Sequence, residues 1–387
     1  MVEKTSEAKP RSSRPQELIA GAALIGVVIC IALIATARHG AAGRITGAPS
    51  QSGYRDDTHR TLNSGAAVLR LTGNYRLSRY LYDRPPDGRA TALDARSAIF
   101  NVSNSKNANP TSRMPCSQGA SPINPYPLSI YGDDRTALVG ALIRGQIPQS
   151  SDWQQTYCNS AAIIFKSAAD GVVDGVRITE AWDAVRISSA SPNLTVRNSW
   201  ISNVRDDVLE NDYLFPAVIQ DTLVDGAFQG ISVRPGSSSR IADRSRNVVT
   251  VTGVLLRLRE YPYKGEMRVG ALSKTDPRSP RLRIMHSIVA IDCRRCANWS
   301  GSWSNTWSKI AESSNNQLLW LSDVPIPSAF PKPPSSFTVV RGQAARDIWA
   351  RAKTNWINCH PKVVRQASDP RSNPAACRSG TWGGYTG

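Results

Sequence analysis

The sequence predicts an all-β fold: a right-handed, single-stranded parallel β-helix, preceded by a transmembrane helix and followed by a small Trp-rich cap. Three observations predict it. Residues 173–235 repeat with a period of 23, so that Val173, Val196 and Ile219 align and Asp183, Asp206 and Gln229 share a column. A period of that size, with short β-rich segments and Asn, Ser and Gly corners, marks a stacked solenoid. The strand-like runs are short and nearly all apolar, which suits parallel strands buried between coils. Finally, 387 residues exceed the usual single domain, and a solenoid absorbs that length because each coil contacts only its neighbours.

Residues 1–17 read as a cytoplasmic tail. Its Lys4, Lys9, Arg11 and Arg14 outnumber Glu3, Glu7 and Glu17, a bias that keeps the N-terminus inside and places the rest outside, in a periplasm or at a cell surface. Residues 18–37, LIAGAALIGVVICIALIATA, are uncharged and long enough to span a bilayer at about 1.5 Å per residue. A cleaved signal peptide is the rival reading, because Ala35-Thr36-Ala37 resembles an A-x-A site. Residues 38–62 lack periodicity and read as a tether.

The β-helix is expected over residues 63–298. Strand-like runs begin at Ala66–Thr72, a polar insertion (103–127) interrupts them, and regular coils resume at Leu128. Past Pro235, Val249–Arg259 and Leu282–Ile291 read as two further coils with longer loops. Residues 299–387 form the expected cap and tail. Gly342–Asn358 can place Ile348, Trp349, Ala352 and Trp356 on one helical face. Trp299, Trp303 and Trp307 read as packing, with sugar stacking as the alternative.

Six cysteines lie outside the membrane segment, and an even count in an exported chain points to disulfides. The expected pairs are Cys116–Cys158, Cys293–Cys296 and Cys359–Cys377. The chain carries 47 Lys and Arg against 30 Asp and Glu, a net +17 spread over its length. That excess suits an acidic polymer, an anionic membrane surface or nucleic acid, and does not choose among them. Nucleic acid is not an expected partner, and a monomer is expected. Walker, G-x-G-x-x-G and H-E-x-x-H patterns are all absent.

Coils stack about 4.8 Å apart, so the column Asp183, Asp206-Asp207 gathers three carboxyls, with Glu210 and Asp212 in the adjoining turn. Close like charges raise one another's pKa. One protonated and one ionised carboxyl is what glycosidic hydrolysis requires. The same acids, Asp206, Asp207, Glu210 and Asp212, also suit Ca²⁺, which would serve a polysaccharide lyase; hydrolysis needs no cofactor. A third reading is a non-catalytic glycan-binding or envelope scaffold, with the acids paired to nearby arginines.

The central coils resemble the polygalacturonase and rhamnogalacturonase family of glycoside hydrolases, which are parallel β-helices. Ala181-Trp182-Asp183, Asp206-Asp207, Phe228-Gln229-Gly230 and Arg257-Leu258-Arg259 stand where that family has N-T-D, D-D, G-H-G and R-I-K. The resemblance implies that Asp183, Asp206 and Asp207 are catalytic, with inversion at the anomeric centre. It implies Gln229 as a substrate contact in place of the family's His. Arg186, Arg205, Arg234, Arg257 and Arg259 are then candidates to bind the acid groups of a uronate polymer. The expected partner is therefore a polysaccharide, in particular an acidic one.

Overall fold

The computed structural model describes residues 67–76, 78–83, 91–102, 126–157, 160–236, 241–294, 302–364 and 370–378. The expected tail, membrane segment and tether lie outside the described residues, as do Cys116, Cys158, Cys296, Trp299 and Trp382. No helix among the described residues is long and apolar enough to cross a membrane.

The fold is a parallel β solenoid. Among the described residues its main sheet joins 22 strands, and every pairing in it is parallel, because each strand bonds to the equivalent strand of the next coil. The strands wind as three faces. One face runs through Tyr80–Asp83, Leu128–Tyr131, Ala161–Lys166 and Asp183–Ile187, then the C-terminal halves of Trp200–Glu210 and Leu223–Val233, and ends at Ser273–Thr275. A second passes through Ala137–Val139, Val172–Asp174, Leu194–Arg197, Ala217–Gln220, Val248–Thr252, Arg281–Met285 and Ile310–Ser314. The third ends in Asn316–Trp320 and Phe337–Arg341.

What holds the stack together is a set of inward ladders. Phe100, Ile143, Ile178, Ile201, Val224, Leu256, Val289 and Leu318 sit in register on successive coils, and all are buried. Burial of each such side chain stabilises by roughly 1.5–3 kcal/mol. The ladder closes on Val339, which pairs with Leu318 and is 41% exposed, so the last coil leaves an apolar edge open. Close coil spacing also selects glycine. A Cβ on Gly145 would lie 1.7 Å from the carbonyl oxygen of Glu180 on the next coil.

The solenoid extends past the boundary expected at residue 298, since Ile310–Ser314, Asn316–Trp320 and Phe337–Arg341 continue the parallel pairing. Among the described residues three α-helices decorate the coils: α1 (Trp153–Thr156), α2 (Ser302–Lys309) and α3 (Gly342–Cys359). Trp303 of α2 is buried in the solenoid core with Trp320 around Phe330, which assigns Trp303 to packing rather than sugar stacking.

Helix α3 lies along the outer flank of the third face. Its Ala345, Ile348, Trp349, Ala352 and Trp356 cover Trp200, Leu223, Leu255 and Ile288, one outward residue from each of four coils. At about 1.5 Å per residue its 18 residues span about 27 Å, five to six coil spacings. Arg346 near its start bonds the Leu321 carbonyl and Asp323, and Trp356 near its end bonds the Asp221 carbonyl. Lys353 pairs with Asp225 between them, and the expected Cys359–Cys377 disulfide ties down its C-terminus. Cys293 is also disulfide-bonded.

Candidate active site

The site is built where the 23-residue ruler fails. Val173, Val196 and Ile219 stack as the repeat predicts. Farther along the coil, however, Val185 pairs with Leu209 and Arg186 with Glu210, one residue off the expected Val185–Val208 register. The cause is a bulge: Val204 pairs with Ala227 and Asp207 with Gln229, leaving one extra residue between them. The column is therefore Asp207 over Gln229, with Asp206 displaced from it. Bulges re-aim side chains in this way and concentrate near functional sites.

The bulge brings Asp183, Asp206 and Asp207 together, each offering an oxygen within 4.8 Å of the others. Arg186 Nη2 donates to Asp183 Oδ2 at 2.7 Å, and its Nη1 donates to the Tyr126 hydroxyl at 3.2 Å. Lys274 Nζ donates to Asp207 Oδ2 at 2.7 Å and to Asp206 Oδ1 at 3.1 Å. The backbone N–H of Asp207 donates to Asp183 Oδ1 at 3.2 Å. Lys274 reaches the acids because Ser232 pairs with it and Glu210 pairs with Ser232, so Arg186, Glu210, Ser232 and Lys274 form one column.

Over these groups opens a cleft of about 450 Å³, lined by Asp183, Asp206, Glu210, Asp212, Arg186 and Lys274 on its floor. Asp207 lies beneath the floor, fully buried. Trp153, Tyr157 and Trp182 form an aromatic wall. Tyr157 meets Trp153 at 4.6 Å and stands edge-on to Trp182 at 5.4 Å between ring centroids. The wall is clamped by the hairpin of Tyr261–Tyr263 and Glu266–Arg268. Asp152 accepts from the Gly265 N–H, Gln154 from the Lys264 N–H, and Tyr263 packs on Trp153.

Burial is the main influence on the acids. It pushes Asp183 up to about 8, opposed by Arg186 and reinforced by Asp207 and Asp206. It pushes Glu210 up to about 8 as well, with Asp183 adding to the rise. Asp207 is raised well above the carboxylate range by burial, against the pull of Lys274. Burial alone would lower Lys274, but the carboxylates of Asp206, Asp207 and Glu210 outweigh it and hold the ammonium charged. Among the described residues Asp207 Oδ1 has no hydrogen-bond partner, and the nearby Glu210 adds to the rise that burial causes in Asp207.

Three carboxylate oxygens this close would also suit a divalent cation. Here the ammonium of Lys274 bridges Asp206 and Asp207 and the guanidinium of Arg186 holds Asp183. Side-chain cations thus neutralise the acids that a divalent cation would otherwise bind.

Among the arginines singled out by sequence, Arg186 belongs to the floor and Arg234 stands exposed at the rim. The others lie elsewhere. Arg205 is fully buried, its Nη2 donating to the carbonyls of Ser151 and Pro262 and its guanidinium over Tyr261. Arg257 is paired with Asp225 and Asp292 in a separate cleft of about 670 Å³ beside α3, and Arg259 donates to Asn203. Gln229 is buried, and its amide brackets the Ala271 carbonyl and N–H at 2.6 and 3.2 Å. It fastens two coils together. Lys274, Trp153 and Tyr157 were not singled out by sequence, because they sit on excursions outside the repeat. No protein-family model, curated protein or solved structure matches the chain.

Proposed function

We propose that the cleft hydrolyses a glycosidic bond of a polysaccharide. The observation that carries this reading is the meeting, in one open cleft, of a carboxyl held protonated near neutrality, Glu210, and an ammonium-paired carboxylate, Asp206. Glu210 gives its proton to the leaving glycosidic oxygen as the bond to the anomeric carbon breaks. Asp206 takes a proton from the water whose oxygen bonds to that carbon. Arg186 holds Asp183 beside them, and in the open cleft Asp206 releases its new proton to water while Glu210 takes one up, which restores both groups.

The Asp183–Asp206 oxygens, within 4.8 Å, lie nearer the roughly 5–5.5 Å of retaining pairs than the roughly 6.5–9.5 Å of inverting ones. Inversion thus requires Glu210, not Asp183, as the partner of Asp206, and the anomer of the first product reports which pair works. The same reading takes the coils as right-handed and residues 18–37 as the membrane anchor.

The test is a panel of neutral and acidic polysaccharides, followed for new reducing ends and for the absorbance of unsaturated products. Reducing ends without unsaturation are expected, lost by about 10²-fold or more in Asp206→Asn and in Glu210→Gln. Unsaturated product would replace hydrolysis with elimination. Glycan retention without turnover on any substrate would leave a binding protein.

A further inference from the structure

The charge inventory of the cleft bears on its substrate class, an inference that rests on the proposal of a glycan-cleaving site. A uronate unit is recognised by a guanidinium or ammonium free to meet its carboxylate. The floor has two cations, and both are spent. Arg186 is committed to Asp183 and the Tyr126 hydroxyl, and Lys274 to Asp206 and Asp207, with the closest contacts at 2.7 Å. A substrate carboxylate would have to displace these partners and leave a buried acid unpaired, a costly exchange. It would also approach Asp206, Glu210 and Asp212 across the same cleft. The one cation lining the cleft without a bond among the described residues, Arg234, is exposed at the rim.

The wall points the same way. Tyr157 is 37% exposed, and its ring is braced by Trp153 and Trp182. The segment carrying it is fastened to the hairpin through Asp152 and Gln154. A braced, partly exposed ring beside carboxyls suits the C–H face of a pyranose, with the acids taking its hydroxyls.

We infer that the unit bound at the floor of the cleft is a neutral pyranose, stacked on Tyr157, and not a uronate.

The test uses full-length protein carrying Glu210→Gln, so that binding is read without turnover while Arg186 and Lys274 keep their partners. Retardation in native gels containing a neutral glucan, a neutral xylan or polygalacturonate is measured with and without about 1 M NaCl, where the Debye length is about 3 Å. A chain of net charge +17 attracts any polyanion at low salt, so salt-resistant binding is the readout. Salt-resistant retardation by a neutral glycan is expected, weakened about tenfold when Tyr157→Ala is added and kept with Tyr157→Phe. Salt-resistant binding of polygalacturonate, no salt-resistant binding of either neutral glycan, or indifference to Tyr157→Ala would each overturn it. Hydrolysis of polygalacturonate by the wild-type chain would refute this inference and uphold the proposed function. Neutral-glycan binding without hydrolysis would do the reverse.

Discussion

Lys274→Met removes the one cation that joins Asp206 to Asp207. The ammonium bonds both carboxyls, at 3.1 and 2.7 Å, beside an Asp207 that is fully buried. Methionine nearly preserves the volume, so the perturbation is electrostatic. Breaking a buried pair by deleting one partner costs about 3–5 kcal/mol, because the remaining charge is stranded. A stranded carboxylate has an escape, which is to bind a proton. The variant should therefore hold one more proton in the folded state than the wild type does. By linkage each held proton makes the stability loss grow by about 1.4 kcal/mol per pH unit above the unfolded pKa near 4. The deficit at pH 7 should exceed that at pH 5 by about 2.7 kcal/mol. Urea unfolding of both proteins at the two pH values measures it. An equal deficit at pH 5 and pH 7 would refute the assignment of Lys274 as the counter-charge of the pair.

Three further outcomes follow from the same geometry. Asp183 and Glu210, both pushed up to about 8, stay protonated in the folded chain at pH values where the unfolded chain has released those protons. Wild-type stability should therefore be greatest below about pH 4 for these two groups and fall as pH rises towards 8. Turnover, if Glu210 is the acid, should decline above pH 8, which a pH profile of kcat/KM reads. Gln229→Leu leaves the buried Ala271 carbonyl and N–H without partners and should cost about 2 kcal/mol or more in urea unfolding. Its kcat/KM per folded molecule should match the wild type, and a loss of turnover at unchanged stability would return Gln229 to the reaction. Gly145→Ala forces a Cβ to within 1.7 Å of the Glu180 carbonyl oxygen and should destabilise by about 3 kcal/mol or more, since the next coil cannot move without opening the ladder. A change under about 0.5 kcal/mol would mean that the coils are less tightly registered than the ladder implies.

The coil architecture was legible because each turn obeys the same local physics. Ile201 must be apolar for the reason that Ile178 and Val224 must be, and repetition makes that reason visible. Val249–Arg259 and Leu282–Ile291 were readable as coils for the same cause. The site was legible only in part. Asp183, Asp206, Asp207, Glu210, Asp212 and Arg186 fall within the repeat and were found. Lys274, Trp153 and Tyr157 are delivered by a long excursion after Ser232 and by the α1 segment, where no period constrains position. Arg205, Arg257 and Arg259 are candidates through the family resemblance and the fit of a guanidinium to a carboxylate, and neither reveals which groups of the fold surround them. In the structure their guanidiniums meet carbonyls, Asn203, or the acids Asp225 and Asp292.

The bulge explains why two adjacent acids can serve one site at all. In a regular strand consecutive side chains point to opposite faces. Had residues 204–207 continued the repeat, one of Asp206 and Asp207 would have entered the apolar core beside Val204 and Val208, at a cost of several kcal/mol for an unpaired carboxyl. The extra residue between Val204 and Asp207 suspends the alternation, so both carboxyls reach one ammonium. One of them, Asp206, lines the cleft, and the other stays beneath its floor. The doublet is thus asymmetric by construction: Asp206, though mostly buried, reaches the cleft, while Asp207 is sealed beneath it. A period of 23 makes the two acids look interchangeable, and a one-residue slip in register gives them different work.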